Sequence, residues 1–446
     1  MKGKETVLKI CFITSFISVS VFLMQCSDTT GKTEVAKWQH GRKGAVSITY
    51  DDGSINQFRK ALPIMNSLNI PGTFFINTGS IPGSQYEGKF IGRPVKDIIK
   101  EAKSIPTNKD NFFERASAAR FLGYMGAGEY FTKAGGRMDA DKPEEAYKII
   151  DELYQKVNKG ELEKLPERGK STGNNDALTW DMAKTFASQG HEFASHMVTH
   201  PYVAALDEPN MLYELQKSRE EIYNQLGKKH IFSAECPYGT ENERAMEYAL
   251  KEYPALRNRM PEPFLVELNR GSRKSPVNPD MEYVQWQRGA TTKTPLPMMK
   301  AWVDTTASQN NIWLVLVIHG IDGIGWEALN SNEVQEYFSY IKSKENELWT
   351  ATFGVVARYM RERMNCVLSS DFSDGKITVS LKHNLDTGFY NLPLTLKTSV
   401  KRGWEEVIIT QDNTSQTVKP FRENGQAVVM YQAMPNAGSI VITEKK

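Results

Sequence analysis

Strands alternating with helices through the middle of the chain predict an α/β fold: a distorted (β/α) barrel with a helical insertion, followed by a small C-terminal all-β, sandwich-like domain. Three observations carry this prediction. Short β-rich segments at 45–50 and 73–76 are separated by a stretch of helical periodicity at 58–68. The segment Ile312–Ile318 is apolar throughout, as expected of a strand buried on both faces of a parallel sheet. From about Val367 the texture changes to short β-rich runs divided by Asp-Gly, Asn and Pro turns, with no helical pattern.

The elements follow in order. A helix capped at Thr179, with Asp181 in its first turn, stops at Gly190 and leads into a strand at 191–195. A helix at 210–226 ends at Gly227 before a strand at 231–234, and Thr240 with Glu243 has capping-box spacing for a helix running to Tyr253. After the 312–318 strand come a helix at 331–344, a strand at 349–353 and a helix to Arg363. In the tail, strands are expected at 377–381, 394–396, 407–409, 428–431 and 439–442.

Composition narrows the classes. With 446 residues, 40% hydrophobic, 24% charged and 4 Cys, the chain is neither collagen-like, nor a disulfide scaffold, nor disordered. Lys2, Lys4 and Lys9 precede an uncharged, mostly apolar stretch at 10–24, short for a membrane span (about 20 residues) but suited to a signal peptide. It ends in Leu23-Met24-Gln25-Cys26 and resembles the lipobox of bacterial lipoproteins, with Gln25 where a small residue is usual. The expectation is an exported protein, lipid-anchored at Cys26 in the bacterial envelope, its membrane contact made only through that anchor. Residues 26–39 are then a linker, 40–364 the barrel domain and 365–446 the accessory domain. Without residues 1–25 the chain holds 52 basic and 52 acidic residues, which gives no general attraction to nucleic acid. Cys236 and Cys366 are expected as free thiols.

Four polar groups fall at the carboxyl ends of expected strands, the edge where parallel α/β folds place their sites. They are Asp51-Asp52-Gly53, His196 to His200, Cys236-Pro237-Tyr238-Gly239, and His319-Gly320. Taken singly, each has a plain structural reading as a turn, a helix cap or a buried histidine. Together on one edge they point to chemistry. The four-residue spacing of the histidines places both imidazoles on one side of a helical turn, and two imidazoles with a carboxylate suit zinc with an open position.

Thr49-Tyr50-Asp51-Asp52-Gly53, Ser195-His196-Met197-Val198-Thr199-His200-Pro201, Pro237-Tyr238-Gly239 and Leu316-Val317-Ile318-His319 resemble the ordered motifs of the polysaccharide deacetylases, carbohydrate esterase family 4, over about residues 40 to 363. The resemblance implies a distorted barrel in which Asp52, His196 and His200 hold one divalent metal, most often zinc. It implies Asp51 as the general base toward the attacking water, His319 as the general acid, and the Pro237-Tyr238 turn as the oxyanion and substrate subsite through the Tyr238 N–H. Two positions depart from the pattern. Glu235 stands where the family has the arginine that tethers the base, and it is expected to turn away or be protonated, since an inward acid would raise the pKa of Asp51. The family's Asp-Trp motif is not evident, with Trp286 and Asp304 in the region but in other contexts.

An excess of chain at 80–171 reads as a mostly helical insertion whose aromatics Phe112, Phe113, Tyr124, Tyr130 and Phe131 form either its own core or a sugar-stacking wall. The expected function is metal-dependent removal of acetyl groups, N-acetyl slightly ahead of O-acetyl, from a poly- or oligosaccharide. The alternatives are an O-acetyl esterase of the acetyl-xylan type, a non-catalytic glycan-binding lipoprotein, and a phosphoesterase, the last disfavoured by the lack of second-metal ligands and of a basic phosphate cradle.

Overall fold

A computed structural model describes residues 29–166 and 177–446. The expected signal segment, Cys26 and the last residues of the expected insertion lie outside the described residues.

Ten strands precede the accessory domain: β1 (Thr33–Val35), β2 (Gly44–Tyr50), β3 (Gly72–Ile76), β4 (Glu192–Ser195), β5 (Ser233–Ala234), β6 (Ala255–Leu256), β7 (Val266–Leu268), β8 (Val284–Gly289), β9 (Ile312–Ile318) and β10 (Leu348–Thr350). All but β1 lie in one parallel sheet ordered β6-β5-β4-β3-β2-β9-β8-β7, with β10 paired to the first residues of β2. Parallel neighbours need crossovers. Helix α1 (Leu62–Ser67), entered through a π-helical turn at Gln57–Ala61, links β2 to β3. The insertion then supplies α2 (Val95–Glu101), α3 (Phe112–Ala119), α4 (Ala127–Asp139) and α5 (Pro143–Lys159). After it come α6 (Trp180–Ser188), α7 (Glu208–Leu226), α8 (Glu243–Glu252), α9 (Leu296–Ser308), α10 (Ser331–Ser343) and α11 (Phe353–Asn365).

The ladder is open between β6 and β7, so the barrel is curled rather than closed by backbone pairing. Side chains span the gap: Gln287 Nε2 donates to the Arg257 carbonyl at 2.7 Å and to Asn269 Oδ1 at 2.9 Å. Every residue of β2, β3 and β9 is buried, which explains why their sequences read as continuous rather than alternating. Tyr50, Phe74 and Phe193 stack between β2, β3 and β4 with centroids 5.0 and 5.4 Å apart. Each such side chain contributes about 1.5–3 kcal/mol by burial, giving the strand ends a rigid base.

Several local expectations are corrected. The strand expected at 231–234 is a 3-10 turn at Lys228–Ile231 followed by the two-residue β5. Helix α8 is capped by Asn242, whose side chain accepts from Ala245 N, while Thr240 Oγ1 instead bonds the Pro237 carbonyl. Strands β6, β7 and β8 were not anticipated; two of them are three residues or shorter and carry no readable period.

The accessory domain comprises β11 (Val367–Ser373), β12 (Lys376–Lys382), β13 (Leu394–Val400), β14 (Val407–Gln411), β15 (Thr414–Val418), β16 (Phe421–Glu423), β17 (Gln426–Ala433) and β18 (Ile440–Glu444). They form two antiparallel sheets, β11-β12-β18-β14-β15 and β1-β13-β17-β16. Strand β1, from the stretch expected to be a linker, pairs with β13 through Thr33 and Thr398. Inward residues alternate, with Ile377, Val379 and Leu381 buried on β12.

Candidate active site

All four polar groups meet at the carboxyl edge of the sheet. Asp51 and Asp52 follow β2, His196 and His200 follow β4, Pro237 to Gly239 follow β5, and His319 follows β9. Asp52 Oδ1 lies 3.2 Å from His200 Nε2 and 3.7 Å from His196 Nε2, and the three ligand atoms fall within 4.8 Å of one another.

The donor set fits a divalent metal. His196 Nδ1 sits 2.8 Å from the carbonyl oxygen of Glu235, which can only accept, so Nδ1 carries the proton and the Nε2 lone pair faces Asp52. Burial lowers His196 to about 3, keeping the imidazole neutral as a ligand must be. Zinc or a similar borderline ion suits two imidazoles and one carboxylate.

The segment joining the histidines is not the helical turn expected from their spacing. Met197 (φ 69°) and His200 (φ 58°) are left-handed, and it is this reversal that converges the rings, 4.8 Å apart. Such a turn needs external support, and Glu214 of α7 supplies it. Its carboxylate accepts from the backbone N–H of Val198 and Thr199, both at 2.9 Å, and from the Thr199 hydroxyl. From the end of α3 in the insertion, Arg120 donates to Thr199 Oγ1 at 2.7 Å and to its carbonyl at 2.9 Å.

Asp51 is 1% exposed. Its Oδ2 accepts from Arg257 Nη2 at 2.6 Å and lies 3.4 Å from His319 Nε2, while Oδ1 has no hydrogen-bond partner among the described residues. Arg257, at the end of β6, also donates from Nη1 to Thr49 Oγ1 at 2.6 Å and reaches Glu235 through Nε at 3.2 Å and Nη2 at 3.1 Å. Of the two expectations for Glu235, that it turns away is corrected. The side chain turns inward and is bridged to Asp51 by a guanidinium that the motif comparison did not reveal. Burial pushes Asp51 upward, but Arg257, His196 and His319 outweigh it and hold the carboxyl well below the usual range. For Glu235 burial prevails over Arg257, and its carboxyl is raised. The signal available in the sequence was Glu235 itself, since an acid buried at that position needs a cation.

Gln57, in the π-helical turn, was also missed. Its Nε2 donates to the Asp51 carbonyl at 2.6 Å and the His319 carbonyl at 2.7 Å, tying the two turns together. Asn258 clips the Cys236 turn by bonding both its N–H (2.7 Å) and its carbonyl (2.9 Å). Tyr238, left-handed at φ 65°, stacks on Tyr202 at 4.0 Å and meets His200 edge-on at 4.6 Å. Helix α4 presses so closely behind that a Cβ on Gly135 would collide with Tyr202. Phe112 and Phe131 are buried and Phe113, Tyr124 and Tyr130 half-buried in a core shared by the insertion and the segment after His200, so these aromatics serve packing. Trp286 is buried beneath the sheet edge, and exposed Asp304 on α9 accepts from the Tyr340 hydroxyl. His319 instead packs edge-on against Trp326 at 4.8 Å. Cys236 and Cys366 are free.

Residues 39–104 and 163–254 match the family model described as polysaccharide deacetylase. The gap in the match falls on insertion helices α3 to α5, and the match ends before Arg257 and His319. A gellan lyase from Bacillus sp. is 23% identical over 273 residues, covering 58% of this chain; the chain spans only 11% of that protein. Among solved structures, a Mycobacterium smegmatis protein provisionally named a polysaccharide deacetylase is 13% identical, with TM-score 0.40, covering 74% of this chain and 94% of that one. PdaA of Bacillus subtilis, a family 4 carbohydrate esterase, is 12% identical, with TM-score 0.32, covering 71% and 81%.

Proposed function

The chain belongs to the polysaccharide deacetylase family, and from that premise we propose a metal-dependent hydrolase that releases acetate from an acetylated poly- or oligosaccharide. The observation that carries the reading is the convergence of Asp52, His196 and His200 beside a buried Asp51 whose second oxygen is unbonded. When bound by those three residues, a zinc-like ion supplies a Lewis acid that acidifies a water and polarises the acetyl carbonyl.

The side chains then divide the proton work. Asp51, anchored by Arg257 through Oδ2, presents Oδ1 to take the proton of the attacking water. The Tyr238 N–H donates to the oxyanion that forms on the carbonyl. As the C–N or C–O bond breaks, His319 gives a proton to the departing amine or alcohol. One carboxylate of the pair thus binds the cation and the other stays free to accept. The preference for N-acetyl over O-acetyl groups follows the family's name, and an O-acetyl ester is the alternative substrate. A glycan-binding protein without turnover is the second reading, disfavoured because base, acid and ligands are all retained. We place the protein outside the cytoplasm, anchored through Cys26, on the strength of its N-terminal sequence.

The test is acetate release from chitooligosaccharides, peptidoglycan fragments and acetylated xylan, each with zinc, after chelation, and with Asp51→Asn. Acetate that requires both metal and Asp51 is the expected result, and the responding substrate names the linkage. Folded, zinc-loaded protein that releases none from any of them would contradict the reading.

A further inference from the structure

Around the catalytic edge the arginines are committed. Arg257 bonds Asp51 and Glu235, Arg120 bonds Thr199, and Arg288 donates to the carbonyls of Gln287 and Ser272. Arg270, two residues past β7, is different. Its half-buried guanidinium has no hydrogen-bond or ion-pair partner among the described residues. It lies hard against the oxyanion turn, with Nη2 2.7 Å from where a Cβ on Gly239 would stand, and its stem passes Gly289 at 4.0 Å from the equivalent point. Gly239 leaves the space in which the guanidinium sits; a side chain there would displace it. Its charge acts on Glu235 and His319 at the site and on Glu241 beside the same turn. The same loop carries Arg273 and Lys274, also without acidic partners among the described residues, although the chain as a whole is nearly neutral.

Beside His319 stands Trp326, 58% exposed yet fixed in place. Its carbonyl accepts from Gly320 N at 2.9 Å, and its ring abuts the histidine. An exposed indole beside a sugar-processing site is a stacking face, and a partly desolvated, unpaired guanidinium matches a carboxylate with two parallel hydrogen bonds.

We propose that the site selects an acidic glycan: Arg270 receives a carboxylate carried by the acetylated sugar or its neighbour, while Trp326 lies against the ring. The inference rests on the deacetylase reading and names the substrate class within it.

The experiment compares kcat/KM for acetate release from acetylated oligogalacturonides and from N-acetylmuramic-acid disaccharides with the values for the same compounds after reduction of the carboxyl to an alcohol. For at least one pair the acid form should be favoured about tenfold or more, the size of one charge-assisted pair. Arg270→Met should bring that ratio to about one and Arg270→Lys should keep part of it, whereas Trp326→Ala should slow both forms alike. A ratio near one for both pairs in the unmodified protein, or a ratio unmoved by Arg270→Met, would overturn the proposal. Calorimetric binding of the same pairs to zinc-loaded Asp51→Asn separates the two readings. Acid-selective binding lost with Arg270→Met, without acetate release by the active protein, would sink the deacetylase reading and keep the carboxylate site. Acetate release with equal binding of both forms would do the reverse.

Discussion

The rim of the barrel and the C-terminal sandwich use the same unusual backbone conformation for opposite ends. In the sandwich, left-handed residues are Asp374, Asp412, Asn424 and Asn436, short polar side chains at turns, two of them followed by glycine that is left-handed as well. Asp374-Gly375 and Asn424-Gly425 are two-residue hairpin turns of the kind that matches strand twist, and they cost little. At the rim the left-handed residues are Asp52, Met197, His200 and Tyr238; Asp52 and Tyr238 are likewise followed by left-handed glycines, but Met197, His200 and Tyr238 carry large side chains, for which the conformation costs about 1–3 kcal/mol each. The rim also buries Asp51, Glu235 and Arg257, whereas the sandwich alternates apolar residues inward and polar residues outward. One region is arranged for stability. The other spends some of it to hold donors and charges where substrate must meet them.

Breaking the comparison at its strongest point means removing a rim donor. His200→Ala, or chelation of the native chain, should lower acetate release by at least about 10³-fold while circular dichroism stays unchanged; zinc should restore the chelated protein but not the variant. A proportional loss of structure would show that the rim is merely a folding element. Next in size, Arg120→Ala withdraws the insertion's hold on the Thr199 turn. Zinc affinity, read by competition with a chromophoric chelator, should fall about 10–100-fold. An unchanged affinity would mean that Glu214 holds the turn alone.

How far the sequence revealed this division depends on whether the information is local. Strand β9 announced itself because all seven of its residues are apolar and buried, and Asp51, Asp52, His196, His200 and His319 were legible because each carries its chemistry in its own side chain at a strand end. Arg257 was not, because its meaning arises only when the sheet curls and brings it to Asp51, 206 positions away. Gln57, Glu214 and Arg120 escaped for the same reason: they act on turns distant in sequence. The 196–200 turn was misjudged because four-residue spacing describes a helix as well as a reversal, and only the backbone sign distinguishes them. In the sandwich the five strands with a buried face were visible, whereas β1, β11, β15 and β16 were not, since β1 and β16 are three residues long and β11 and β15 are mostly exposed and carry no apolar alternation.

Smaller effects sharpen the contrast from the stable side. Asn424→Ala should cost about 1 kcal/mol in denaturant unfolding, because alanine is poorly suited to φ 50°, and leave acetate release untouched. A drop in activity would couple the sandwich to the site. At the junction of the two regions, burial pushes Glu362 up to about 7 against the opposing Leu392 N–H and Arg358; the neighbouring His383, with Nε2 3.5 Å away, is itself lowered by burial. Above the ordinary value of 4.5 and below about 7 the folded state retains a proton that the unfolded chain has lost, so this group's contribution declines as pH rises through that window. Glu362→Gln should therefore gain stability relative to the native chain between pH 5 and pH 8, and a pH-independent difference would contradict the assignment.

The most direct test of the rim as a site that trades stability for chemistry is Arg257→Met measured beside Arg257→Met with Glu235→Gln, each for unfolding free energy and for acetate release. The single change leaves two acids buried without their cation and should cost about 3–5 kcal/mol. The second change removes one of those acids, so stability should recover substantially while acetate release stays low, because Asp51 still lacks its tether. Recovery of activity in step with stability would contradict the account and reduce Arg257 to a structural counterion.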